Sequence, residues 1–151
     1  MTVVLDGQST RASSAKLIAR VALALLVFAL AGCNGGTVDR HALKRDAEKV
    51  GSLATEGGLL ANDVSRGAST EYFVRVHAHE LAGAASGFES SLAKRPTSPG
   101  ITSDVRKLSK LAGKLSRELE QLHLHPTDRN VAKSLKQPLM DDAEAADKLA
   151  K

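Results

Sequence analysis

Cysteine, aromatic residues and proline are scarce in this sequence, and each scarcity narrows what the protein can be. The single cysteine among 151 residues, Cys33, cannot form a disulfide within the chain, which excludes a small disulfide-stabilised scaffold. Tryptophan is absent, and Tyr72, Phe73 and Phe88 are the only aromatic residues after Cys33, too few for a base-stacking surface that binds single-stranded nucleic acid. With only four prolines and much alanine, leucine, lysine and glutamate, the chain favours helices.

The positive charge of the chain is concentrated at its start. The formal net charge is +4, but Arg11, Lys16 and Arg20 oppose a single acid, Asp6, in residues 1–20. Removing these residues takes away +2 and leaves about +2 for the rest, so the basic isoelectric point partly reflects the N-terminal segment. We therefore expect no nucleic-acid partner, because a strongly basic surface drives that binding.

An apolar run follows the basic stretch. Residues 21–31 read VALALLVFALA, eleven residues that would span about 16 Å as a helix, whereas the hydrocarbon core of a bilayer is about 30 Å thick. A basic region followed by a short apolar region is the layout of a secretory signal peptide rather than of a transmembrane helix. The run leads into Leu30-Ala31-Gly32-Cys33, which resembles the lipobox of bacterial lipoproteins.

This resemblance, which covers residues 1–33, implies a lipid-anchored protein. Cys33 would receive a diacylglyceryl or acyl lipid such as palmitate, and a signal peptidase would cut between Gly32 and Cys33. The mature chain would then sit on the extracytoplasmic side of a cell membrane, with the choice between inner and outer membrane left open. The alternatives are an ordinary signal peptide with an incidental cysteine, or a buried hydrophobic helix.

The chain is thereby divided into three parts. Residues 1–32 form the signal peptide, residues 33–37 the lipidated cysteine and a flexible tether, and residues 38–151 a single folded domain. Because the tether is short, we expect the folded domain to lie near the bilayer surface.

Four stretches after the tether carry the apolar spacing of amphipathic helices. The first runs from about 38 to 65, and the second from an N-cap at Ser69 or Thr70 to about 94. The third runs from an N-cap at Ser103 to just before Pro126. The fourth begins after an N-cap at Thr127 or Asp128 and continues towards residue 151. The strongest signal is the row Val105, Leu108, Leu111, Leu115, Leu119 and Leu122. In the second stretch the expected buried face comprises Phe73, Val74, His77, Leu81, Ala84, Phe88 and Leu92. Short connections predict an all-α, up-down-up-down four-helix bundle.

Several glycines and one proline interrupt these stretches. Gly57 lies on the apolar arc, where close helix approach would explain it, whereas Gly58 lies off that arc and suggests a local kink. Gly67 is expected just after the end of the first helix, in the left-handed conformation. Gly83 and Gly87, spaced by four, predict close helix packing, and the continuous face across Pro138 predicts one kinked helix rather than two.

Four of the five histidines come in two i,i+2 pairs, His77 with His79 and His123 with His125. Side chains two residues apart on a helix point about 200° apart, so neither pair chelates a metal by itself. In a bundle, however, His77 or His79 would lie at the same end as His123, which makes a shared metal site a weak alternative. The favoured interpretation is that none of them binds metal, with His77 as a hydrogen-bonded histidine on the apolar face and His123 stabilised by a helix C-terminus.

Two clusters of charged residues are further candidates for a functional site. A basic stripe on the third helix, opposite its leucines, would face anionic headgroups or an anionic envelope polymer; otherwise it is a solvated face. Its members are Arg106, Lys107, Lys110, Lys114 and Arg117. An acidic cluster follows Pro138, and within it Asp142 falls on the apolar arc and is expected to be buried. The cluster lacks the alternating acids around a glycine that a calcium loop requires.

The sequence therefore favours one function over another. The first is a non-enzymatic, membrane-anchored helical module of the bacterial cell envelope that acts through contact with an envelope protein or polymer. The alternative is a bundle that carries a small ligand or a metal. We find no nucleophile elbow, Cys/His dyad or spaced carboxylate pair, so catalysis is not expected.

Overall fold

The fold is all-α, an up-down-up-down four-helix bundle, as the sequence predicts. A computed structural model describes residues 36–151. Its helices are α1, Arg40–Arg66, α2, Glu71–Lys94, α3, Thr102–Leu124, and α4, Arg129–Ala150. Within residues 36–151 there is no β-strand, only one isolated parallel bridge between Val38 and Thr97.

The predicted signal peptide, the predicted cleavage site at Gly32 and the predicted lipidation site at Cys33 lie outside the described residues, as does the start of the predicted tether. The end of the predicted tether is described, and the next residue, Val38, is already hydrogen-bonded to the loop between α2 and α3. The Val38 amide donates to the Pro96 carbonyl at 2.8 Å, and the Ser98 amide donates to the Val38 carbonyl at 2.9 Å. None of the four described helices has the length and apolarity needed to cross a bilayer.

Three of the four caps that the sequence predicts are present. Thr70 accepts from the Phe73 amide at the start of α2, and Asp128 accepts from the Val131 amide at the start of α4. Gly67 adopts the left-handed conformation after α1, with φ 69°. These three residues close the bundle end where α1 meets α2 and α3 meets α4.

The prediction of an N-cap at Ser103 is wrong. Helix α3 begins two residues earlier than such a cap implies, at Thr102, and no side chain caps it. The N-cap position is Ile101, which is buried in the core, and the hydroxyl of Thr102 lies 3.0 Å from that of Thr97 in the preceding loop. Burial of Ile101 and the contact with the loop thus set the start of this helix instead of a local capping bond.

The helices form two closely packed antiparallel pairs, α1 with α4 and α2 with α3. Lys136 donates to Asn62 at 3.0 Å in the first pair, and the Ser116 hydroxyl donates to the Ala82 carbonyl at 3.0 Å in the second. The core between the pairs consists mainly of aliphatic side chains that are almost completely buried. The largest are Leu43, Leu108, Leu115, Leu119, Leu122, Leu139, Val38, Val50 and Val74. The leucine row of α3 is confirmed, although Leu111 is only partly buried.

Two glycines in the middle of α1 allow the other helices to approach closely. A Cβ atom on Gly57 would lie 2.6 Å from a methyl of Leu119, which confirms the packing interpretation. A Cβ atom on Gly58 would lie 2.8 Å from the Met140 sulfur, so this glycine also has a packing reason. Both are buried, and α1 continues through them as one helix.

The predicted buried face of α2 is correct in part and wrong at Phe73 and Ala84. Phe73 and Ala84 are exposed, whereas the buried side chains include Ala78, Ala82 and Ala85, with Val74, Leu81 and Leu92 as expected. The small alanine side chains let α2 lie close to α3, and this close contact outweighs the larger apolar area of a phenylalanine. Gly83 and Gly87 have no neighbours where a Cβ would lie, so the prediction that they mediate close packing is also wrong.

Helix α4 confirms two expectations. It continues through Pro138 as a single helix, and Asp142 is buried, with 5% of its surface exposed. Two i,i+4 ion pairs also form on its outer face, Lys148 with Glu144 at 2.8 Å and Lys151 with Asp147 at 2.6 Å.

Candidate functional site

The two ends of the bundle differ in surface chemistry. We call the end that contains Val38, the loop at 96–99 and Ala150 the proximal end, and the end with the Gly67 and Pro126 turns the distal end. The antiparallel helix pairs fix this assignment, because Arg40 at the start of α1 bonds to Asp104 near the start of α3. A helix of about 23 residues separates the two ends by about 35 Å.

The proximal end carries many exposed cations. They lie in the starts of α1 and α3 and the ends of α2 and α4: Arg40, Lys44, Arg45, Lys94, Arg106, Lys107, Lys110, Lys148 and Lys151. The exposed acids of the same segments are fewer: Asp39, Glu48, Glu144 and Asp147. We call this set of cations the proximal basic surface. The sequence indicated only its α3 members, because the other helix ends are brought together by the tertiary fold.

The predicted basic stripe of α3 is divided in the structure. Arg106, Lys107 and Lys110 are exposed at the proximal end, and Arg117 is exposed nearer the distal end. Lys114 is half-buried and turned towards α4, where its Nζ lies 2.6 Å from an Asp142 oxygen. It therefore belongs to an interhelical ion-pair cluster and not to the outward stripe.

That cluster joins α3 to α4 through three charged groups. Lys114 also lies 2.9 Å from Glu118, and one carboxylate oxygen of Glu118 and one of Asp142 are buried without a hydrogen-bond partner. Burial raises the pKa of the Glu118 carboxyl, and the nearby Asp142 carboxylate raises it further, against the opposing effect of Lys114. Burial of Lys114 lowers its pKa, but its bonds to both carboxylates outweigh this effect, so its pKa is raised.

A carboxyl with a raised pKa beside a lysine is a feature of some catalytic sites. Two large grooves within residues 36–151 lie elsewhere: one of about 490 Å³ between α1 and α4 is lined by residues such as Gly51, Thr55 and Ala143, and one of about 370 Å³ near the 96–99 loop includes Arg106. The ion pairs of the cluster link α3 to α4.

The distal end carries most of the exposed apolar side chains. Five of the six large ones among the described residues lie there, namely Leu59, Tyr72, Phe73, Val76 and Leu124; the sixth, Met140, lies in the middle of α4. Tyr72 is 78% exposed, and Leu124 is 53% exposed. We call these five residues the distal apolar group. Exposed apolar residues gathered in one region are typical of interaction sites.

The histidines of the distal half separate into different environments. The His77 ring stacks on Phe73, and its Nε2 lies 2.9 Å from a Glu56 oxygen. The His79 ring lies against the His123 ring, with 4.9 Å between their centroids. The structure thus brings His79 together with His123 and places His77 in a separate contact with α1. Over residues 36–151, no group of three or more histidine, cysteine or acidic side chains gathers as a metal site would require.

No protein-family model, curated protein or solved structure matches this chain.

Proposed function

We propose that the protein is a lipoprotein of the bacterial cell envelope, a non-enzymatic helical module that is anchored to the membrane through Cys33 and binds a partner protein with its distal end. The observation that carries this proposal is the contrast between the two ends of the bundle. Cations gather at the end where the folded chain begins, and exposed apolar side chains gather at the opposite end.

The lipid anchor is supported by chain connectivity. Cys33 precedes Val38 by five residues, a length of at most about 17 Å when fully extended. Val38 is buried and held by two backbone hydrogen bonds to the 96–99 loop, so the tether cannot lengthen by unravelling residue 38 without loss of these bonds. A lipid on Cys33 would therefore keep the proximal end close to the headgroups.

The proximal basic surface suits such a position. Each lysine or arginine near an anionic lipid surface contributes about 1 kcal/mol of attraction, which decays within a Debye length. Cations such as Lys44, Lys94 and Lys110 lie at the end that a short tether would hold within that distance. The lipid provides the anchor, and the cations favour one orientation of the bundle.

The distal apolar group would then point away from the bilayer. Side chains such as Tyr72 and Leu124 have apolar surface in water, and burying it against a partner is favourable by about 25 cal/mol per Å². Tyrosine and phenylalanine are frequent in the centres of protein interfaces. These properties suit a protein partner in the envelope better than an anionic polymer, which would prefer the basic end.

The location is tested by Cys33→Ala in the native host. We expect the variant to keep the unprocessed mass and to lose the lipid-dependent mass increase of the wild type. Asn34→Ala, beside the cysteine, is the matched control and should be processed normally. Identical mature masses and equal membrane association for Cys33→Ala and wild type would disprove lipidation.

The interaction is tested with the double variant Tyr72→Ser and Leu124→Ser. Cross-linking in intact cells followed by mass spectrometry should show proteins that are recovered with the wild type and lost with this variant. A control with serine at the exposed Ala84 and Ala93 changes the surface elsewhere on α2 and should retain them. If both variants recover the same proteins as the wild type, the distal end is not the contact surface.

A further inference from the structure

His79 and His123 form a pair that joins α2 to α3, one of the two closely packed helix pairs. His79 is exposed on α2, and His123 is half-buried in the last turn of α3. Their ring centroids are 4.9 Å apart, and the rings are tilted by 41°. Each histidine is fixed by a different helix, so the pair is held by the fold and does not depend on a flexible loop.

The hydrogen bond of His123 determines which of its nitrogens is available. Its Nδ1 lies 2.9 Å from the backbone carbonyl oxygen of Arg75. A carbonyl oxygen can only accept, so Nδ1 must carry the proton that is donated. In the neutral ring the lone pair is then on Nε2, which is the arrangement that metal-binding histidines commonly show.

The geometry points to a binding site for a divalent transition-metal cation between α2 and α3, with the imidazoles of His79 and His123 as its two protein ligands. Imidazole is a preferred ligand for Zn²⁺, Ni²⁺ and Cu²⁺. Because His79 is exposed, a cation reaches the pair directly from solvent and retains water at its other coordination positions.

The remaining neighbours define the limits of the site. His77 points towards α1, where it bonds to Glu56, and His125 is the C-cap residue just beyond the end of α3. No third histidine, cysteine or acid of the described chain joins the pair. Two protein ligands give weaker binding than the three or four of dedicated zinc sites, and the Irving–Williams order places Cu²⁺ above Zn²⁺.

The test is a titration of the purified, metal-free, full-length protein with Cu²⁺ and, separately, with Zn²⁺. Calorimetry gives the stoichiometry, and electron paramagnetic resonance of the Cu²⁺ form detects coordinated nitrogen. We expect one equivalent of Cu²⁺ to bind with two imidazole nitrogens, and Zn²⁺ to bind more weakly at the same place.

Four single variants locate the site. His79→Ala and His123→Ala should each lose the one-equivalent isotherm, whereas His77→Ala and His125→Ala, each two residues away, should retain it. His79 is exposed and its replacement leaves the core unchanged, so this variant decides the outcome even if His123→Ala unfolds. No binding to the wild type, or binding that persists in His79→Ala, would overturn the proposal. Wild type and variants are compared with Cys33 in the same state, because a free thiolate would itself bind the added cation.

Discussion

The proximal and distal ends of this bundle are closed by different kinds of interaction. At the proximal end, residues far apart in sequence meet: Val38 bonds to the 96–99 loop, and Arg95 at the end of α2 pairs with Asp46 of α1 at 3.0 Å. At the distal end the turns are short, and neighbouring residues such as Gly67 and Asp128 provide the caps. The proximal end therefore depends on tertiary partners, while the distal end is largely specified by local sequence.

The largest effect is expected from breaking the proximal ion pair. In Arg95→Met, Asp46 would lose its cationic partner while only 12% of its side chain is exposed, and we expect a loss of about 2–3 kcal/mol in the free energy of unfolding. Urea denaturation measures this loss. Arg40→Met is the control, because the Arg40 side chain is 60% exposed and its pair with Asp104 should contribute at most about 0.5 kcal/mol.

A double variant sharpens this prediction. Replacing both partners, Arg95→Met with Asp46→Leu, removes the uncompensated charge and should recover part of the lost stability. If the single variant is as stable as the wild type, then the proximal end is not held by its ion pair and the contrast between the ends is wrong.

A substitution in the distal turn at Gly67 should reduce the free energy of unfolding less than the loss of the proximal ion pair. Gly67 has a φ of 69°, so Gly67→Ala costs about 1–2 kcal/mol through backbone strain. The matched variant in the proximal loop is Gly100→Ala, where φ is 87° and the space around the Cβ is open. Equal losses in denaturation would show that strain alone acts at both ends. A larger loss at Gly67 would show that the Arg129 side chain, which a Cβ would contact, is fixed against the turn.

Between the two ends, the Lys114 cluster should give a pH dependence. The pKa of Glu118 is raised by burial above its ordinary value of about 4.5. A folded-state pKa above the unfolded value contributes stability that is present at low pH and is lost as the pH rises through the folded value. Glu118→Gln should therefore flatten the stability profile above about pH 4.5, whereas Glu120→Gln should not. A wild-type profile that rises through this range and is unchanged in Glu118→Gln would contradict the assignment.

The smallest effect is expected at the Asp39 cap of α1. The pKa of Asp39 is lowered, mainly because its carboxylate accepts from the Ala42 amide at 2.7 Å. The stability it contributes is present above its ordinary pKa and is lost as the pH falls through the lowered value. Asp39→Asn keeps the cap without the titration, so its melting temperature should fall less on acidification than that of the wild type. Parallel curves would show that the cap does not titrate.

The comparison of the two ends also explains where sequence-based prediction was successful. Gly67 is predictable, and each of the N-caps Thr70 and Asp128 is one of two predicted candidates, because caps and left-handed glycines act within a few residues of the chain. The predicted N-cap at Ser103 is wrong because the start of α3 depends on Ile101, which packs in the core, and on Thr97 across the loop. A local pattern contains no information about such contacts.

The same reasoning applies to the faces of the helices. The leucine row of α3 has no competing apolar face, so its burial follows from its spacing. Helix α2 has two candidate faces, one with Phe73 and one with alanines such as Ala78 and Ala82, and the close approach of α3 selects the alanines. Sequence spacing likewise does not determine which histidine of α2 contacts His123. In the structure His79, and not His77, lies beside it.

By itself, the sequence determined the number of helices, most of their limits, the all-α class and the burial of Asp142, because these follow from periodicity and from interactions between residues close in the chain. Only the tertiary structure decided which cations share an end with Val38, which apolar residues stay exposed at the other end, and which charged groups meet between helices. The physical reason is that these surfaces consist of side chains from different helices, whose relative positions depend on how closely their backbones pack.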